Sequence, residues 1–162
     1  MNQSFRLAAD TRDHIMETVI ESASAIYGEN FSRVAMTEEA ADLLRLLWHR
    51  HGPLMFHQSG GCCDGSSPMC FPAGEFKTGD SDILLGVFTL PDADGSALGT
   101  LDFWMSKEQF EYWKHTKLTI DVVPGRGSGF LLEAPEGVRF LTRSQVFSDE
   151  EWAMLAAAER PR

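Results

Sequence analysis

Gly52 to Asp82 reads GPLMFHQSGGCCDGSSPMCFPAGEFKTGDSD, and it holds all three cysteines of the chain, Cys62, Cys63 and Cys70. The stretch opens as a strand, in which successive side chains point to opposite faces. Leu54, Phe56 and Gln58 share one face, and Met55, His57 and Ser59 share the other. Leu54 and Phe56 make the better core face, so His57 is expected on the more accessible side. Gly60-Gly61 then breaks the strand, because glycine permits sharp turns and close backbone approach. Two adjacent thiols follow, then a polar turn at Asp64-Gly65-Ser66-Ser67-Pro68, then the third thiol.

Three thiols within nine residues are the chemistry-bearing feature of the chain. Thiolate is the natural ligand of zinc, copper(I) and iron–sulfur iron. The C-C-x6-C spacing differs from the paired C-x2-C spacing of familiar zinc sites. Cys62, Cys63 and Cys70 are therefore candidate ligands of a transition metal or an iron–sulfur cluster. His57 is the candidate fourth ligand, with Asp64 or a water as the other option. Two further readings stay open. The thiols could be redox-active or trap an electrophile such as an aldehyde, which requires a lowered thiol pKa. They could also pack structurally, since free cysteine is among the most buried residue types.

Composition narrows the partners. The chain has 162 residues, 43% of them hydrophobic, and a formal net charge of −10. That length suits one domain with a real core. The acidic balance argues against nucleic acid, whose affinity comes from basic residues on phosphates, and against an anionic membrane surface. No apolar run reaches the roughly 18 residues of a spanning helix, and the first residues lack an apolar signal core. A cytoplasmic protein is expected.

Outward from the cysteine stretch, residues 10–27 carry Ile15, Val19, Ala23 and Ile26 at helical spacing, with Gly28 as a stop. His14, near that start, reads as a solvated side chain. Residues 33–36 form a short strand. Thr37 caps a helix over 38–50, with Glu38 and Glu39 in its first turn and Gly52-Pro53 after it. Ile83 to Leu90 and Gly99 to Met105 predict a hairpin across the turn at Pro91–Ser96. Ser106-x-x-Gln109 and Ser148-x-x-Glu151 are capping boxes. The first opens a helix burying Phe110 and Trp113. The second opens one with Trp152 and Leu155 inward. Residues 117–123, 130–133 and 138–141 read as strands. The glycines of Pro124–Gly129 precede a strand, not the helix that a dinucleotide site requires.

This order predicts an α+β single domain, mostly antiparallel β, with an N-terminal helix pair and short later helices. The boundaries are a helical extension over 1–32, the central α+β domain over 33–147, and a C-terminal helix and tail over 148–162.

Two family resemblances attach to these motifs. HQSGGCCDGSSPMC, with GSGFLLEAP downstream, resembles an uncharacterised bacterial family whose members are often encoded beside aldehyde or alcohol dehydrogenases. That resemblance implies a dehydrogenase client. Met36-Thr-Glu-Glu-Ala-Ala-Asp-Leu-Leu, Gly60-Gly61-Cys62, Ile120-Asp121-Val122 and Gly127-Ser128-Gly129-Phe130 are similar to segments of the A-type iron–sulfur carriers. That likeness implies a HesB-like fold for the central domain. The carriers' C-terminal Cys-Gly-Cys has no counterpart near Thr142 to Phe147. The resulting expectation is a non-enzymatic, metal- or cluster-binding accessory protein.

Overall fold

Residues 19–24 are extended, where the periodicity predicted helix. The computed structural model describes residues 18–59, 66–125 and 131–159. β1 (Val19–Glu21) and β2 (Ala23–Ser24) replace the second half of the expected first helix. Residues 10–17 of that helix, with His14, lie outside the described residues. The cause is pairing with distant strands. β1 runs antiparallel to β3 (Val34–Thr37), with Ile20 opposite Met36. The β-branched Val19 and Ile20 suit such a pleated surface, and tertiary pairing overrides a weak helical period. Of the expected helix pair, the second member forms as the helix over Glu38–His51, and the described part of the first is replaced by two strands, each built into a different sheet.

Thr37 turns the chain from β3 into α1 (Glu38–His51), and its side chain accepts from the Ala40 backbone N–H at 3.1 Å. Thr37 Oγ1 in turn donates to the buried Asp121 at 3.1 Å. Leu43, Leu44 and Leu47 of α1 are wholly buried, each worth about 2 kcal/mol by area. Gly52 ends the helix at φ 86° and donates to the Trp48 carbonyl at 2.7 Å. Only glycine adopts that φ without strain.

β4 (Leu54–Gln58), β5 (Met69–Pro72), β6 (Asp82–Pro91) and β7 (Ala97–Ser106) follow. α2 (Lys107–Trp113), β8 (Thr116–Pro124), β9 (Val138–Val146) and α3 (Asp149–Glu159) complete the described elements. Four strands form one sheet in the order β1-β3-β8-β9, and five form the other in the order β2-β6-β7-β4-β5. Five of the seven pairings are antiparallel, as expected; β3 with β8 and β4 with β7 are parallel. The predicted hairpin is β6 with β7. Residues 131–133 are not the returning strand expected there. They lead into a 3-10 turn, Ala134–Glu136, that Gly137 closes in the left-handed conformation.

Both serine N-caps form, and the second completes its capping box, whereas the Gln109 side chain accepts from Trp113 Nε1 instead of from Ser106. Ser106 Oγ accepts from the Gln109 N–H at 3.1 Å. Ser148 and Glu151 exchange side-chain bonds with each other's N–H. Leu155 and Trp113 are buried. Trp152 instead stays 41% exposed, and Phe110 is half-buried under the Arg33 guanidinium, 5.1 Å from its ring centre. Among the described residues no helix is long and apolar enough to cross a membrane.

The chain crosses between the sheets at Ser22, whose N–H donates to the Val34 carbonyl at 3.1 Å. Opposite it, β6 carries a bulge between Leu84 and Gly86. A Cβ on Gly86 would meet Ser22 Oγ at 2.3 Å and Val34 Cγ1 at 3.0 Å. The Gly86→Ala variant should therefore lose about 1–3 kcal/mol, the usual range for overpacking. Urea denaturation midpoints would measure the loss, and an unchanged midpoint would refute the close-approach role.

Candidate functional site

β4 separates two environments. Phe56 is paired with Cys70 on β5 and with Phe103 on β7, so these three side chains share the inner face. His57 is paired with Met69 and Trp104 on the outer face. The expected juxtaposition of His57 with Cys70 does not occur: the two residues lie on opposite faces of one sheet. Cys62 and Cys63 lie outside the described residues.

His57 is also not on an accessible side, since only 2% of it is exposed. Phe76, from the loop after β5, stacks on its ring at 4.1 Å between centres. His57 Nε2 bonds Asp82 Oδ1 at 2.7 Å, and Gly79 N–H donates to Asp82 Oδ2 at 2.9 Å. The imidazole bond is the main cause holding the Asp82 carboxyl below its ordinary 3.8. His57 Nδ1 is buried with no hydrogen-bond partner among the described residues. The loop covers the outer face, which is why alternation alone misjudged the exposure of His57.

On the inner side, Cys70 is 3% exposed and packs within the hydrophobic core. The Phe56 ring meets Phe140 of β9 edge-to-face at 5.0 Å. Phe140 N–H donates to Glu133 Oε2 at 3.2 Å. Glu133 is wholly buried, and its Oε1 has no hydrogen-bond partner among the described residues. β9 lies at the edge of its sheet, so alternate N–H groups face away from β8. Glu133 takes the one at Phe140. The Ser66 carbonyl takes the next, at Thr142, at 2.7 Å. Thr142 Oγ1 also donates to Ser66 O, and Arg139 donates to Ser67 Oγ at 2.8 Å. Two residues along a strand span about 7 Å. The Glu133 carboxylate and the C-terminal end of the cysteine loop therefore occupy neighbouring positions on one edge.

The electrostatics follow from this burial. Burial pushes the Glu133 carboxyl above its ordinary 4.5, while bonds from its own N–H and that of Phe140 pull the other way. Burial pushes the Cys70 thiol well above 9.0, and the Glu133 charge adds to the rise. Cys70 is a free thiol that is protonated at neutral pH and a poor nucleophile, because the thiolate is the reactive form.

Sequence reasoning missed Glu133 and Asp82. Glu133 did leave a signal, as a lone carboxylate between Leu131-Leu132 and Ala134-Pro135. Charged residues inside apolar runs are buried only with partners or with a function. Asp82 left none, because 25 residues separate it from His57.

Residues 43–146 match the family described as a domain of unknown function, DUF779, and the chain belongs to that family. The matched span contains His57, the three cysteines, Asp82 and Glu133. No curated protein and no solved structure matches the chain.

The raised Glu133 pKa predicts a specific pH dependence in metal-free protein. The folded state holds this proton more tightly than the unfolded chain does. The resulting stability is complete below the ordinary 4.5 and is lost as pH rises through the folded value. Glu133→Gln should abolish that decline. Asp82 acts in a separate window: its contribution is present above 3.8 and is lost as pH falls through its lower folded value. Urea midpoints measured from about pH 2 to 8 would check both windows, and an identical profile for Glu133→Gln would contradict the first.

Proposed function

We propose that the protein holds a thiophilic metal through Cys62, Cys63 and Cys70, with Glu133 in the fourth place, and serves as a non-enzymatic accessory protein. The observation that carries this reading is Glu133. A carboxylate with no exposure keeps one oxygen unpartnered beside a buried thiol. Such a group is costly in an apolar interior unless something offsets its charge. A cation does so, and it also favours deprotonation of the neighbouring thiol. Three thiolates and one carboxylate suit four-coordinate zinc, while thiols in this pattern also suit iron–sulfur iron. His57 is left out of the set because it faces the other side of β4 and is engaged by Asp82.

The elevated Cys70 pKa makes a thiol-redox role the weaker reading. An aldehyde or alcohol dehydrogenase is proposed as the client on the family resemblance, and the HesB-like carriers supply the iron–sulfur alternative on theirs. Metal binding requires the Cys70 thiolate and the Glu133 carboxylate, so affinity should fall on acidification.

Elemental analysis of anaerobically purified protein should find about one equivalent of metal, as in other structural thiolate sites. Acid-labile sulfide would identify a cluster. The triple Cys→Ser variant should hold none, and Glu133→Gln should bind about 10–100-fold more weakly, as when a supporting metal contact is lost. Less than about a tenth of an equivalent, with no uptake on reconstitution, would overturn the reading. Dehydrogenase activity in cells lacking the protein should be restored by the wild type and not by the triple variant.

A further inference from the structure

The outer face of the five-stranded sheet carries a cleft of about 340 Å³, within the range of small-molecule sites. Its floor is one face of β7, where Thr100, Asp102 and Trp104 recur at every second residue. Met55 of β4, the register partner of Asp102, extends the floor. The wall is the loop after β5, which contributes Phe76 and Thr78. This side of β7 faces away from Phe103, and hence from Cys70 and Glu133.

Three features define the ligand chemistry. Asp102 is half-buried, and its carboxylate makes no side-chain hydrogen bond or ion pair among the described residues. Two aromatic rings, Trp104 and Phe76, line the same cleft. Phe76 is held in place from behind by stacking on His57, which Asp82 anchors. A carboxylate flanked by aromatic and thioether groups attracts a positive charge carried on an apolar body, because aromatic faces are electron-rich. A hydrated metal ion would instead require several oxygen ligands. The hydroxyls of Thr78 and Thr100 can accept N–H bonds. We infer that the cleft formed by Met55, Phe76, Thr78, Thr100, Asp102 and Trp104 binds a small alkylammonium cation. The net charge of −10 favours the approach of such a ligand. His57 and Asp82 are positioning residues here, since they set the Phe76 ring.

The test is titration of the full chain with tert-butylammonium and with its neutral analogue, tert-butanol, followed by amide chemical shifts. The cation should move the resonances of Thr78, Thr100 and Asp102, and the alcohol should bind at least about tenfold more weakly, the loss of one charge-assisted contact. Asp102→Asn should weaken cation binding by about tenfold or more on the same ground. Thr100→Arg, at an exposed position, should abolish it by placing a guanidinium against Asp102, without disturbing a buried group. Unchanged affinity in either variant, equal binding of the alcohol, or no shifts at these amides would overturn the inference. Metal content is unaffected by any of these outcomes.

Discussion

The edge-to-face contact of Phe56 with Phe140 is the constraint on which the arrangement depends. It joins the inner face of one sheet to the edge strand of the other. Both rings are wholly buried. Aromatic pairs favour this T-shaped geometry, which adds about 0.5–1.5 kcal/mol to the area they bury. The pair also carries positional information. Cys70 is the register partner of Phe56, and Glu133 is bonded to the backbone of Phe140. A contact between two hydrocarbons thus brings a thiol and a carboxylate together, across 63 residues of sequence that place no other signal between them.

The acidic node at Asp121 plays the complementary part in the four-stranded sheet. Asp121 Oδ1 accepts from Thr37 Oγ1 and from the Val122 N–H, and Oδ2 accepts from Arg143 Nε at 2.9 Å. Thr37 is at once the end of β3 and the cap of α1. One buried carboxylate therefore ties two strands and a helix start together with its acceptors satisfied. Glu133 is the contrast. It is as deeply buried, yet one oxygen lacks a partner. Interior carboxylates with complete hydrogen bonding specify structure, whereas an incomplete one points to chemistry.

What was legible in the sequence was local. Thr37, Glu38 and Gly52 delimit α1, and the Ser106 and Ser148 caps open the later helices, because capping acts within one turn. The β6–β7 hairpin follows from a turn between two apolar runs. The thiol cluster was visible as residues, though only Cys70 falls within the described part of it. Apart from the local 3-10 turn at Ala134–Glu136, the failures involve distance in sequence. β1 and β2 are strands because β3 and β6 receive them. β4 lies parallel to β7, and no local pattern announces a parallel partner. The burial of His57 depends on Phe76 folding back over the sheet, and its engagement depends on Asp82. Alternation assigned His57 to the correct face of β4 but could not show what covers that face.

The Ser66 carbonyl bonded to Thr142 has a further consequence. β9 borders solvent along a sheet edge, and an edge strand with free N–H groups is a template for a strand from another molecule. Glu133 and Ser66 occupy two successive donors on that edge. The segment that delivers the cysteines is therefore also a guard on the sheet. Any state in which residue 66 leaves β9 uncovers the Thr142 N–H, and strand-to-strand association becomes available at that edge. Association behaviour and the placement of the segment leading to Cys70 are thus joined through the few contacts that Ser66 and Ser67 make with β9.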